Sequence, residues 1–329
     1  MEGPPVLGGE AHAMKRAFVF PGQGSQAVGM GRALAEAVPA AKAVFDEVDD
    51  ALGEALSATI WEGPDDALRL TENAQPALMA TSIAALRALE AEGVSVAAHA
   101  AFVAGHSLGE YTALCAAGSL TVADAAKLLR LRGRAMQSAA PVGAGAMAAL
   151  LGLDLEAAQA VAAEASAEGV CTAANDNAPG QVVVSGAKAA VEKAVELAAA
   201  RGAKRAVLLP VSAPFHCAMM APAAEAMREA LVGARLEAPA VPLVSNVKAE
   251  GVTDPEEIRA LLVAQVTGAV RWRESVMWMA AQGVGELVEI GAGKVLSGLA
   301  KRIDKGLAAR AVGAPEDAAA AAAAMLGDG

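Results

Sequence analysis

The pentapeptide Gly105-His106-Ser107-Leu108-Gly109 lies between an apolar run, Ala100 to Ala104, and a helix-forming run, Glu110 to Ala117. In the order strand, tight turn, helix, Gly-x-Ser-x-Gly raises the serine hydroxyl on an elbow. The next backbone N–H, on Leu108, then sits at a helix N-terminus, where negative charge is stabilised. One turn thus offers a nucleophile and half of an oxyanion hole. The same pattern also occurs in ordinary turns and helix caps, so its flanks and the rest of the chain must decide.

A serine hydroxyl attacks only when a base takes its proton. The chain has four histidines, His12, His99, His106 and His216. His12 lies in the first residues and His99 in a polar turn. His106, beside the serine on a strand-like backbone, is expected to point away from it. That leaves His216, in an irregular loop fixed by Pro214, as the base, against the plainer reading of a structural histidine. Cys217 could be a thiol nucleophile, but adjacent side chains in extended chain diverge, and serine keeps the role.

Arg132 is the third candidate. At about 100° per residue, Lys127, Arg130 and Arg134 share one helix face, whereas Arg132 falls within the stripe of Ala125, Leu128, Leu129, Ala135 and Met136. A guanidinium on a buried face needs an anion. It is either a carboxylate of the fold, in a buried ion pair, or a carboxylate of the substrate, gripped at two points by the planar fork. The loop Gly22-Gln23-Gly24-Ser25-Gln26 fits neither the dinucleotide nor the P-loop spacing. The Gln23 N–H is a candidate second oxyanion donor there, and a plain glycine turn is the alternative. Gly291-Ala292-Gly293-Lys294 reads as a turn at a strand end.

These residues must be positioned by an α/β layout. Ala17 to Phe20 reads as a strand, with helices around Pro39 to Leu56, Pro76 to Glu92 with Pro76 in its first turn, and Thr121 to Ser138. From Ala146 to Val211 the order becomes βαββαβ, the ferredoxin-like plan of a compact small domain, after which the α/β pattern resumes. The expected division is a large domain over 14–140 and 212–312 with a parallel sheet, interrupted by a small domain over 141–211. A disordered extension over 1–13 and an Ala-rich tail over 313–329 complete it. A ligand is expected in the cleft between the domains.

Composition narrows the class. With 55% hydrophobic but 3% aromatic residues in 329, the core must be built of Ala, Val and Leu. A net charge of −11 without a long basic run argues against nucleic acid as a partner, and any acidic partner must meet a local basic patch. Three cysteines, Cys115, Cys171 and Cys217, show no paired spacing, so no disulfide framework and no metal site is expected; they read as reduced thiols of a cytoplasmic protein. No apolar stretch has transmembrane length, and the first residues lack signal-peptide character, so no membrane role is expected.

Taken together, the motifs resemble one family, the malonyl-CoA:acyl carrier protein transacylases of type II fatty acid synthesis, related to polyketide synthase acyltransferase domains. The resemblance runs from about Met14 to about Ile303. It rests on Phe18 to Gln26, Gln75-Pro76-Ala77-Leu78, Gly105 to Glu110, Arg132, Gly143 to Met147, Asn175 to Val183, Ala213-Pro214-Phe215-His216 and Gly291 to Leu296. It implies an α/β-hydrolase-like large domain and ping-pong transfer of malonyl from malonyl-CoA, through an ester on Ser107, to the phosphopantetheine thiol of acyl carrier protein, for fatty acid elongation. No cofactor is implied.

By motif position, the resemblance makes His216 base and then acid, and Arg132 the holder of the malonyl carboxylate. Leu108 and Gln23 become the oxyanion donors, Gln265 the residue whose main-chain carbonyl orients His216, and Gln75 the neighbour that positions Arg132. Asn175 and Asn177 resemble residues near the CoA groove. Asp176 between them is expected to point away from a polyphosphate, and Phe215 before the histidine favours malonyl. Docking an acidic carrier requires cations, for which Lys188, Lys193, Arg201, Lys204 and Arg205 are candidates. Two other classes share parts of this pattern. A serine esterase or thioesterase would share the elbow but place an Asp or Glu between Ser107 and His216 in chain order. A non-catalytic carrier-docking module would need neither base nor anion clamp.

Overall fold

The computed structural model describes residues 14–327; the extension over 1–13, with His12, lies outside the described residues. The chain opens with β1 (Lys15–Phe20) and β2 (Phe102–Gly105), passes through β3 (Gly145–Leu151), β4 (Cys171–Ala178), β5 (Gln181–Ala187) and β6 (Arg205–Leu208), and returns with β7 (Leu243–Val244), β8 (Gly251–Val252), β9 (Val284–Ile290) and β10 (Ala308–Val312). Two sheets result, in the orders β10-β9-β1-β2-β7-β8 and β4-β5-β3-β6.

In the larger sheet β10, β9, β1, β2 and β7 run parallel, and β8 closes the edge antiparallel to β7. β1 shows why. After Lys15 every residue is buried, the near-continuous apolar run of a parallel strand covered by helices on both faces. Its carboxyl end delivers the Gln23 loop, and the carboxyl end of β2 delivers Ser107, so both arrive at the same rim of the sheet.

The smaller sheet is antiparallel throughout, with the strand order of the ferredoxin-like plan. Ala148 and Leu150 of β3 and Val182 and Val184 of β5 alternate inward against Ala158, Val161, Val191 and Ala194 of the two helices Leu155–Ala165 and Lys188–Ala200.

Three helices differ from the sequence expectation. The first of the three ends at Leu52, where Gly53 adopts a left-handed cap, four residues short of the expected end. The helix containing Pro76 runs Thr71–Ala91, so Pro76 lies inside it and not in its first turn. The polar segment Thr71 to Gln75 is helical because its first turn is buried against the helix Val122–Ser138, which offsets the intrahelical bond that Pro76 cannot make. Lastly, the Ala-rich stretch is no plain tail. Pro315–Gly327 is a helix whose Ala318, Ala321, Ala322 and Met325 are buried, and it packs on Thr71–Ala91. Those positions fall at i, i+3, i+4 and i+7, a narrow apolar stripe that uniform composition hides.

Candidate active site

At the end of β2 the backbone turns within three residues into the helix Gly109–Ala116. A Cβ on Gly105 would lie 1.9 Å from the carbonyl oxygen of Gly109, and one on Gly109 2.5 Å from that of Phe20, so both glycines are demanded by contact. Ser107 takes φ 53°, a left-handed conformation that costs an L-residue about 1–2 kcal/mol. Asn246 and Gln265 hold it there. The Ser107 N–H donates to Asn246 Oδ1 (2.8 Å), Asn246 Nδ2 donates to the Gly105 carbonyl (2.7 Å), and Gln265 Nε2 donates to the Ser107 carbonyl (2.8 Å).

The elbow aims the hydroxyl at His216. Ser107 Oγ and His216 Nε2 are 2.8 Å apart, and His216 Nδ1 is 2.9 Å from the backbone carbonyl of Gln265. A carbonyl only accepts, so Nδ1 carries the hydrogen and Nε2 turns its lone pair to the serine hydroxyl. Burial, then the nearby Arg132 cation, pushes the imidazole pKa down to about 3, so the ring is neutral at pH 7. Its partner on the side away from the serine is a carbonyl, not an acid.

Arg132 comes from the middle of Val122–Ser138 and is 1% exposed. Its Nη1 donates to Gln75 Oε1 (2.8 Å), and its Nη2 donates to Gln265 Oε1 (2.7 Å) and to Ser107 Oγ (3.1 Å). No carboxylate among the described residues hydrogen-bonds it, and its Nε has no partner there. Its charge therefore rests on neutral amide oxygens beside the serine. Glu110 lies close without touching it: its buried carboxyl accepts the Asn246 N–H (2.6 Å) and Gln265 Nε2 (2.5 Å). Burial pushes that carboxyl up to about 8, against the pull of these donors and Arg132.

Ser107, His216 and Arg132 open into a cavity of about 420 Å³ whose wall also includes Gln23, Leu108 and Asn175. The backbone N–H groups of Gln23 and Leu108 meet no acceptor among the described residues, as donors awaiting an oxyanion must. Asn177 lines the cavity too, but its Oδ1 is taken by His106 Nε2 at 2.8 Å. His106 lies against Trp272 and turns from the serine as expected, yet it forms part of the cavity wall. Asp176 is held away by Arg273, whose Nε and Nη2 reach it at 2.8–3.1 Å. Cys217 is buried, with its Sγ donating to the Pro214 carbonyl. Among the described residues no group of His, Cys, Asp and Glu is arranged to hold a metal ion.

Residues 17–319 match the acyl transferase domain family. The chain is also 49% identical to the malonyl CoA-acyl carrier protein transacylase of Bacillus subtilis (strain 168), over 92% of this chain and 94% of that protein. The chain belongs to the malonyl CoA-acyl carrier protein transacylases. Among solved structures it is similar to the acyl-carrier-protein S-malonyltransferase of Bartonella henselae, with TM-score 0.93, 57% identity, and coverage of 95% of this chain and 99% of that one. It is also similar to a malonyl-transacylase solved in complex with a type II PKS acyl-carrier protein, with TM-score 0.89, 44% identity, and coverage of 92% and 97%.

Within this transacylase site, sequence reading missed Asn246 and Glu110. Asn246 lies 139 positions from the serine it holds, in no motif. Glu110 stood in plain sight as a helix former; only its burial marks it out. Gln265 was expected to act through its carbonyl alone, whereas its side chain also joins Arg132, Ser107 and Glu110.

Proposed function

We propose that this chain transfers the malonyl group of malonyl-CoA to the phosphopantetheine thiol of acyl carrier protein through an ester on Ser107. The observation that carries this reading is the buried Arg132 guanidinium, 3.1 Å from Ser107 Oγ and without a carboxylate partner of its own. A cation so placed is satisfied when the free carboxylate of an acyl group attached to Ser107 occupies its fork.

His216 Nε2 takes the hydroxyl proton as Oγ attacks the thioester carbonyl, and the negative oxygen that develops is met by the N–H groups of Gln23 and Leu108. Collapse breaks the carbon–sulfur bond, and His216 returns the proton to the departing CoA sulfur. The carrier thiol then repeats these steps in reverse, giving its proton to His216 and leaving on Oγ the proton it began with. Gln265 and Gln75 support the clamp. Asn175 and Asn177 flank the path a CoA or carrier arm would take. A hydrolase reading has less support, because the partner of His216 Nδ1 is a carbonyl and not an acid.

The carrier is acidic, so it needs cations free to receive it. Of the five candidates on the small domain, Lys188, Lys193 and Arg201 face Glu192, Glu196 and Glu164, leaving Lys204 and Arg205. Lys294, Lys301, Arg302 and Lys305, in and around the helix Val295–Ile303, have no carboxylate partner among the described residues. Gly293, in the turn before that helix, lies beside Ser25, whose neighbours Gly24 and Gln26 line the cavity, which favours this helix as the seat for the carrier. Charge reversal at Lys301 and Lys305 should slow transfer to the carrier and leave Ser107 acylation unchanged.

The proposed small domain, 141–211, spans the second sheet, β3 to β6, and the larger sheet is built from the segments on either side of it. Mass spectrometry after brief exposure to malonyl-CoA tests the reading. A malonyl adduct on Ser107 that vanishes on adding carrier is expected; rapid free malonate with no acylated carrier would defeat it.

A further inference from the structure

A chain of hydrogen bonds, buried at Arg132, Gln75 and Thr71 and half-buried at Gln23, leads from the anion clamp to the oxyanion loop, and chemistry fixes the direction of its first two links. A guanidinium only donates, so the Gln75 amide must turn its oxygen to Arg132 Nη1 (2.8 Å). Gln75 Nε2 therefore donates onward, to Thr71 Oγ1 (2.9 Å). Having accepted there, the Thr71 hydroxyl is free to donate to Gln23 Oε1, 2.8 Å away. The cation thus sets the Gln75 amide, and Gln75 in turn occupies the Thr71 oxygen as a donor, leaving the hydroxyl hydrogen for Gln23 Oε1.

The packing keeps this chain rigid. Thr71 opens the helix Thr71–Ala91 and, like Gln75, is 1% exposed. The neighbour of Arg132, Gly133, faces the same turn: a Cβ there would stand 2.4 Å from Glu72 Cα and 2.7 Å from the Thr71 carbonyl oxygen. The two helices thus meet backbone to backbone at the point where Thr71 bridges Gln75 to Gln23. The Thr71 hydroxyl does not cap the helix: the N-cap is Leu70, and both partners of the hydroxyl are side chains.

We propose that Thr71 is a positioning residue that ties the carboxylate clamp at Arg132 to the loop carrying the Gln23 oxyanion donor. The inference rests on the acyl-transfer reading above and deepens it. It makes selection of an acid-bearing acyl group and stabilisation of the transition state share one support, so that loosening the hydroxyl harms both, and the clamp more.

The test compares single-turnover acylation of Ser107 by malonyl-CoA and by uncharged acetyl-CoA in the full chain, in Thr71→Val, which keeps the shape and removes the hydroxyl, and in Thr71→Ser, which restores it. For Thr71→Val the malonyl rate should fall at least ~10-fold further than the acetyl rate, and the acetyl rate itself about threefold, as expected for losing buried hydrogen bonds. Thr71→Ser should keep the preference of the parent. An unchanged malonyl-to-acetyl preference in Thr71→Val, an acetyl rate equal to the parent, or a serine variant as impaired as the valine variant would each overturn the proposal. Thr71→Ala serves as the hydroxyl-free arm should Thr71→Val not fold. Failure of the underlying reading looks different, since the parent itself would then carry no malonyl on Ser107.

Discussion

Two buried charge clusters lie on opposite sides of the central strand, and they are built on opposite rules. At the β9–β10 side, Glu286 is 3% exposed and accepts Arg16 Nε at 2.8 Å and Arg310 Nε at 2.7 Å. There the anion meets cations directly across β1, β9 and β10, stitching three strands. At the elbow, Arg132 and Glu110 are as deeply buried and near each other, yet each is held by amides. Charges matched within the protein are finished; the guanidinium at the elbow still lacks its counter-charge. Arg130, two residues from Arg132 on the same helix, is a control: also buried, it meets Asn73 and the carboxylate of Glu54, so its charge is matched within the protein. Burial of an arginine is thus no sign of function until its partner is known.

The comparison is broken most severely at the base. His216→Ala should slow formation of the Ser107 ester by about 10²–10⁴-fold, the usual reach of general base catalysis, as seen by rapid-quench labelling. Unchanged labelling would remove His216 from the chemistry. On the matched side, Glu286→Gln should leave the labelling rate intact but cost about 3–5 kcal/mol in urea unfolding, because a buried ion pair loses one partner.

Arg132→Ala should lower malonyl acylation about 10- to 100-fold relative to acetyl acylation, the value of hydrogen bonds to a charged group. Arg130→Ala should cost about 1–2 kcal/mol of stability through lost packing and hydrogen bonds while leaving that preference alone. Equal loss for both acyl groups in Arg132→Ala would refute the clamp.

The smallest effect is one of pH. With His216 depressed to about 3, the base stays neutral well below pH 6, so single-turnover acylation should change less than about twofold from pH 7 to 5, where an ordinary histidine would lose more than tenfold. The same shift affects folding. The unfolded ring binds its proton near 6.5 and the folded ring does not until about 3, so this stability is lost as pH falls through that window. Glu110 acts in the other sense: its folded value of about 8 lies above the unfolded 4.5, so its contribution is lost as pH rises from 4.5 towards 8. Glu110→Gln should flatten the pH–stability curve between about pH 4.5 and 8, measured by urea melts.

Much of the site was legible because its chemistry is carried by short strings and by periodicity. Gly-x-Ser-x-Gly between an apolar run and a helix former marks the elbow, and a cation inside the apolar stripe of a helix marks Arg132 at any tertiary arrangement. Arg130 was harder. It reads as a member of the charged face with Lys127 and Arg134, and those two are exposed, but Glu54 and Asn73 reach over from other segments and bury Arg130 itself. The same blindness hid the helical start at Thr71 and the docked helix Pro315–Gly327, since a polar turn and an alanine run show nothing of what they will pack against.

The sequence alone therefore determined the α/β class, the inserted βαββαβ unit, the candidate nucleophile, base and clamp, for these follow from local backbone preferences and side-chain type. Only the tertiary structure decided that the Gln265 side chain joins Arg132, Ser107 and Glu110, that Arg132 lacks a carboxylate while Arg130 has one, and that Asn246, Glu110 and Thr71 belong to the site. Hydrogen-bond partners and counter-charges are properties of distance in space, and groups 57 to 158 positions apart in the chain meet here within about 3 Å.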